Sequence, residues 1–183
     1  MTYVEKLLEI AGTQRGYITT GDAAELDVPP VELRKLSQRG HLDHIDHGLY
    51  RISAFPRQEH DDLMRAALWP KGRGVISHET ALMLWELADV NPRTITVTVP
   101  AGYRPRRKGE ARYRIVVRDL DEVDYVKGIP VVTPEQAIRD AIDVGTQPRF
   151  TEQAIQTARQ RRLIGTETEQ ELLAMLSPAA VGR

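Results

Sequence analysis

Four polar side chains suited to nucleic-acid chemistry crowd one short stretch: Arg34, Lys35, Gln38 and Arg39. Arginine presents a planar fork that pairs bidentately with guanine, whereas long cations further along a helix reach phosphates. Arg34 and Lys35 are therefore the candidates for base reading, and Gln38 and Arg39, a turn later, for backbone contact. His47 and Arg51 follow within a turn-containing segment, where they could meet phosphates flanking the groove. A second basic run, Arg104, Arg106, Arg107, Lys108, Arg112 and Arg114, is opposed only by Glu110. It could grip DNA backbone, or an acidic or RNA-bearing partner, and would serve equally as a solvated hairpin tip.

Other constellations do not assemble into catalysis. His41, His44 and His47 interleave with Asp43 and Asp46, but side chains alternate along a strand, so positions 41 and 44 face opposite ways without a bulge. No metal site is expected there. His78 sits beside Glu79, with Asp140 far along the chain, yet no Gly-rich phosphate loop, His-Glu-x-x-His or Gly-x-Ser-x-Gly string completes a site. Ser77 and His78 are read as capping a helix, and Asp140 as ordering a turn or pairing with a nearby arginine. Arg159, Arg161 and Arg162 close another helix, where the dipole alone accounts for cations. No catalytic residue, metal or cofactor is expected.

The elements that must position these groups are legible in the spacing. Val4, Leu7, Leu8 and Ala11 form the stripe of an amphipathic helix, ended by Gly12 and Gly16. Thr19-Thr20-Gly21-Asp22 is a capping-box start for a helix of about two turns. Pro29-Pro30 suits the first turn of a third helix, whose apolar face is Val31, Leu33 and Leu36 and whose stop is Gly40. Leu42 to Asp46 and Leu49 to Ile52, joined by His47-Gly48, read as a β-hairpin. Two short helices in a tight turn, the second basic, followed by a hairpin, make a winged helix-turn-helix over residues 1–55.

Beyond the short hinge at Ala54 to Arg57 a second domain, residues 56–183, is expected. Gln58 to Trp69 reads as a helix, and Ser77 opens another with Ala81, Leu84, Trp85 and Ala88 in register. Thr94 to Val99 is a clean alternating strand, with further strands at Tyr113 to Val117 and around Ile129 to Val132. Thr133-Pro134-Glu135-Gln136 starts a helix with a capping box. Thr151 to Arg162 and Thr166 to Leu176 supply two more, the last with a Thr166-x-x-Glu169 box. A small mixed sheet with helices packed on it is an α+β arrangement.

Composition bounds the function. In 183 residues, 25 Lys and Arg meet 26 Asp and Glu, a net charge of -1, so the chain is not a basic polyelectrolyte. Residues 1–55 are themselves net acidic, since Lys6, Arg15, Arg34, Lys35, Arg39 and Arg51 face Glu5, Glu9, Asp22, Glu25, Asp27, Glu32, Asp43 and Asp46. DNA binding would have to rely on segregated charge, with only a few phosphate contacts. A hydrophobic content of 41% supports real cores, and 5% aromatics argues against a base-stacking platform. The absence of cysteine removes disulfides, thiol nucleophiles and thiolate metal sites. The charged start, with Glu5, Lys6 and Glu9, does not fit a signal peptide, and no apolar run approaches membrane-spanning length, so a cytoplasmic protein is expected.

Within this frame the string Gly16-Tyr17-Ile18-Thr19, Asp22-Ala23, Leu26, Val28, Leu33, Leu36, Arg39-Gly40-His41-Leu42 and Gly48-Leu49-Tyr50-Arg51 resembles the N-terminal winged helix of AbiEi-type antitoxins. Ile76-Ser77-His78, Ala81-Leu82, Leu87, the strand from Ile95 to Pro100, Arg106-Arg107, Gly128-Ile129-Pro130-Val131, Thr133-Pro134 and Asp140 resemble the region that follows it. The resemblance implies a regulator encoded beside a nucleotidyltransferase-like toxin in toxin-antitoxin and abortive-infection systems. Such a protein binds inverted repeats in its own promoter as a repressor and counteracts the toxin, directly or indirectly. Longer relatives append an endonuclease-like domain, which is not expected in a chain ending at Arg183. A stand-alone winged-helix regulator with a ligand-binding or dimerising second domain, and an interaction module without DNA binding, are the other readings.

Overall fold

The structure is a computed structural model that describes residues 2–104 and 113–176. It is mixed α+β and divides into two compact units. The first comprises Met1–Gly74 with Lys127–Ile129, the second Val75–Val126 and Pro130–Arg183.

The first unit begins with α1 (Tyr3–Thr13), held by a complete capping box between Thr2 and Glu5. β1 (Tyr17–Thr19) follows, then α2 (Thr20–Glu25), whose cap Thr19 and Asp22 satisfy one another's backbone as the sequence spacing requires. α3 (Pro30–Gln38) starts on Pro29-Pro30, and β2 (Leu42–Asp46) and β3 (Leu49–Ile52) form the expected hairpin. The sheet order is β1-β3-β2, so β3 is the central strand. Tyr17 pairs with Arg51 and Thr19 with Leu49 on one side, and Leu42 with Ile52 on the other. Leu7, Ala11, Ile18, Ala23, Val28, Leu33, Leu36, Leu42, Tyr50 and Ile52 make the core. Truncating a side chain such as Leu33 there would cost about 2–5 kcal/mol through lost burial and a residual cavity.

This compact unit does not close at residue 55. α4 (Asp61–Leu68) belongs to it, burying Leu63, Met64, Ala66 and Ala67, and Asp61 ties its first turn to the sheet. Its carboxylate lies 3.3 Å from Arg51 of β3 and 3.7 Å from Arg15 of the α1–β1 turn, all three side chains being buried. Arg15 also donates to the Glu59 carbonyl at 2.6 Å. Two guanidiniums inside one small unit require such oxygens, because an unpaired buried charge is costly.

In the second unit β4 (Val75–Ile76), β5 (Ile95–Val99), β6 (Tyr113–Val117), β7 (Asp124–Val126) and β8 (Ile129–Val131) form one sheet in the order β6-β5-β4-β8-β7. It is mixed: β4 runs antiparallel to β5 and parallel to β8, and β5 runs parallel to β6. The helices are α5 (His78–Leu84), α6 (Pro134–Asp143), α7 (Pro148–Gln160) and α8 (Thr166–Leu176). Trp85, just past α5, donates its indole N–H to the Val132 carbonyl at 2.9 Å.

Five local expectations change: Leu8 and Val31, read onto the apolar faces of α1 and α3, are exposed, and three caps differ. Ser77 occupies the cap position of α5, but its hydroxyl makes no cap hydrogen bond and instead accepts from Thr98 at 2.8 Å. Thr133 caps α6 by accepting from the Gln136 N–H, whereas the Gln136 side chain, expected to close the box, reaches Asp140 at 2.8 Å. Thr166 is already the first helical residue of α8, and its hydroxyl accepts from Arg159.

Candidate nucleic-acid interface

α3 and the β2–β3 hairpin enclose a groove of about 510 Å³ lined by Thr20, Pro30, Arg34, Ser37, Gln38, His44, His47, Gly48 and Tyr50. The helix contributes Pro30, Arg34, Ser37 and Gln38, spaced i, i+4, i+7 and i+8, which is one stripe of a helix whose other face buries Leu33 and Leu36. Arg34 is the only full cation and no carboxylate lines the groove among the described residues, although residues 1–55 are net acidic. The face is thus free of carboxylate rather than rich in cations.

The hairpin wall is fixed in place. Gly48 has φ +73°, and a Cβ there would lie 3.0 Å from the Thr20 hydroxyl. The Thr20 N–H donates to the Gly48 carbonyl at 2.9 Å, tying the hairpin tip to the start of α2. The His44 and Tyr50 rings sit 5.1 Å apart in a tilted pair, with Tyr50 buried beneath. The register shifts between His44 and Asp46, and the His47 N–H donates to the Asp46 carboxylate at 2.6 Å.

The structure sorts the residues expected from sequence. Arg34, Gln38 and His47 share the groove. Lys35 is exposed but lies off the groove, its ammonium 2.7 Å from Glu32. Arg39 is exposed at the end of α3. Arg51 is a correction: its side chain is 3% exposed and cannot meet a phosphate. It donates to the Phe55 and Pro56 carbonyls at 3.0 and 2.9 Å, pairs with Asp61, and lies 5.6 Å from the centre of the Tyr17 ring. The cause is β1, which was not expected as a strand and which turns β3 from the outer strand of a wing into the middle of a sheet. Burial raises the Tyr17 phenol above its ordinary pKa, with Asp61 adding to it. Thr20, Ser37 and Tyr50 join the groove although the sequence assigns them no contact, and His44, considered there only as a metal ligand, lines it too; the i+7 spacing from Pro30 was the available signal for Ser37.

Of the second basic run, Arg104 is exposed and Arg114 is exposed on β6, while Arg106, Arg107, Lys108 and Arg112 lie outside the described residues. Among the described residues no group of three His, Asp or Glu side chains is placed to hold a metal ion, and no helix is long and apolar enough to cross a membrane.

A separate polar cluster lies in the second unit. Asp140, on α6 and 1% exposed, accepts from Arg118 at 2.7 and 2.8 Å in a two-pronged pair and from Gln136. Its carboxylate is 3.6 Å from His78 Nδ1, which also lies 2.9 Å from the Ser77 hydroxyl. The expected arginine partner of Asp140 is thus Arg118. His78 takes the left-handed backbone, φ +57°, uncommon for a residue with a side chain. Burial pushes its imidazole below the ordinary 6.5, with Asp140 opposing and Arg118 and Arg114 reinforcing.

Residues 5–53 match the family model described as "Transcriptional regulator, AbiEi antitoxin". That match spans α1 through β3 and nothing of the second unit. Among solved structures the chain is similar to the RV2827C protein from Mycobacterium tuberculosis, at 15% identity and a TM-score of 0.48 over 96% of this chain and 82% of that one. No curated protein matches the chain.

Proposed function

We propose that the first unit is a winged helix-turn-helix that reads operator DNA, with α3 entering the major groove and the hairpin acting as the wing. The observation that carries this is the groove itself: Arg34, Ser37 and Gln38 on one stripe of α3 face His44 and His47 across a cleft without a carboxylate. Arg34 suits guanine, Gln38 suits adenine, and Ser37 serves either. This assigns Gln38 to base reading rather than to the backbone, and leaves Lys35 and Arg39 to phosphates. The local family match supports a regulator of a toxin-antitoxin system. In that role the protein represses its own promoter at inverted repeats and antagonises a nucleotidyltransferase-like toxin, directly or indirectly. The basic segment that includes Arg104 adds backbone grip or a partner contact.

Fluorescence anisotropy with labelled DNA from the gene's own upstream region, against a scrambled duplex at several salt concentrations, tests it. Tight binding to the first duplex that weakens with rising salt is expected, with a shallow slope reflecting few phosphate contacts. Equal weak binding to both duplexes would exclude the operator-reading role.

A further inference from the structure

The polar cluster of the second unit is more elaborate than packing requires. Ser77, Thr80 and Thr98 are fully buried, and Thr96, His78 and Asp140 nearly so. The register places Arg114 beside Thr96 and Val116 beside Thr98, and alternation puts Arg114, Val116 and Arg118 on the same face as the Thr98 hydroxyl that bonds Ser77. One edge of a buried hydroxyl seam therefore ends at two arginines and a histidine.

Each of these three side chains keeps bonding capacity in hand. The His78 side chain is 8% exposed, and with Nδ1 facing Ser77 and Asp140 its Nε2 has no partner among the described residues. Arg118 uses its two terminal nitrogens on Asp140, while its buried Nε–H has no acceptor. Arg114 is exposed and makes no hydrogen bond or ion pair to the described residues. A buried donor without an acceptor is unfavourable, and a left-handed histidine adds strain of the kind that recurs at ligand clamps. Asp143 acts on His78 and Arg118 too. Local charge is thus balanced, and an anion would be held by directed donors rather than by excess positive charge.

We propose that His78, Arg114 and Arg118 form a site for the oxyanion of a small molecule, a phosphate or carboxylate group. The oxyanion accepts from the exposed Arg114 guanidinium and from the Nε2–H of His78, in the tautomer whose Nδ1 accepts from the Ser77 hydroxyl at 2.9 Å, while Arg118, its Nε–H buried, contributes charge and holds Asp140. The site stands on observations independent of the DNA-reading groove.

Isothermal titration of the full chain with inorganic phosphate, AMP and succinate, at matched ionic strength with chloride as the control, tests the proposal. Saturable binding of at least one probe is expected, weakened about tenfold or more by Arg114→Gln, as loss of a charged hydrogen bond requires. The probe that binds separates phosphate from carboxylate chemistry. Imidazole nitrogen NMR gives a second readout: the His78 signals shift on titration while those of His41, His44, His47 and His60 stay. Arg114 is exposed, so its replacement leaves the fold intact. Absence of saturable binding by all three probes overturns the site, as does binding that Arg114→Gln leaves unchanged or that Arg34→Ala abolishes.

Discussion

Arg51 Nη2 lies 3.3 Å from Asp61 Oδ2, joining the central strand of the first sheet to the start of α4 through side chains that are 3% and 11% exposed. Removing one member of a buried ion pair leaves the other uncompensated, at about 3–5 kcal/mol. Arg51→Ala should therefore shift the urea midpoint strongly downward, whereas Arg34→Ala, on the surface, should leave it within about 0.5 kcal/mol. Comparable midpoints for the two variants would show that Arg51 contributes little to the fold.

On DNA the ranking reverses for the helix residues. Arg34→Ala and Gln38→Ala should each lose about 1–3 kcal/mol of operator affinity and relax preference at one base position. Lys35→Ala, whose ammonium already pairs with Glu32, should weaken all duplexes alike and by less. Anisotropy over a panel of single-base operator variants measures both the affinity and the preference. A lost preference confined to Lys35→Ala would return base reading to that residue.

The hairpin tip offers a backbone test. Gly48 sits at φ +73°, with the Thr20 hydroxyl 3.0 Å from where a Cβ would stand. Gly48→Ala should destabilise the first unit by about 1–2 kcal/mol from the left-handed conformation alone. Adding Thr20→Ala relieves the contact but not the dihedral, so only part of the loss should return. Full recovery in the double variant would mean the strain is steric rather than conformational.

The His78 imidazole gives a pH dependence whose sign follows from burial. Its folded pKa is below the ordinary 6.5, so the folded state binds fewer protons than the unfolded one in that range. The stabilisation is fully present above pH 6.5 and is lost as pH falls from there through the lower folded value. His78→Asn, which tolerates a left-handed backbone, should flatten the decline in urea stability on acidification. An unchanged decline in that variant would assign the acid sensitivity to other groups.

Much of this was legible in the sequence because local chemistry dictates it. The Thr19–Asp22 capping box, Pro29-Pro30 opening α3, and His47-Gly48 between β2 and β3 are short-range signals, and the structure places those elements as expected. The short strands β1, β4 and β7 carry too few residues for alternation to register, and their pairing partners are distant in sequence. Missing β1 had a functional cost, since it made Arg51 look like a wing contact. Asp61 could not be recognised as its partner because an ion pair across an intervening turn leaves no periodic trace. For the groove, Arg34 and Gln38 were visible as helix residues. The separation of both from Lys35 depended on where the hairpin lies, which only the tertiary structure fixes.

The carboxylate shared by Arg15 and Arg51 also sets what can be inherited as a unit. The matched segment ends at residue 53, yet the buried guanidinium of Arg51 finds its counter-charge at Asp61. A recombination event that joined this helix-and-hairpin segment to a new partner immediately after the hairpin would leave two arginines in the interior without the Asp61 carboxylate. The smallest piece that keeps these charges paired therefore carries α4 with it, and because Arg15 also donates to the Lys127 carbonyl at 2.9 Å, a cut directly after the fourth helix would still leave one of its donors unmet.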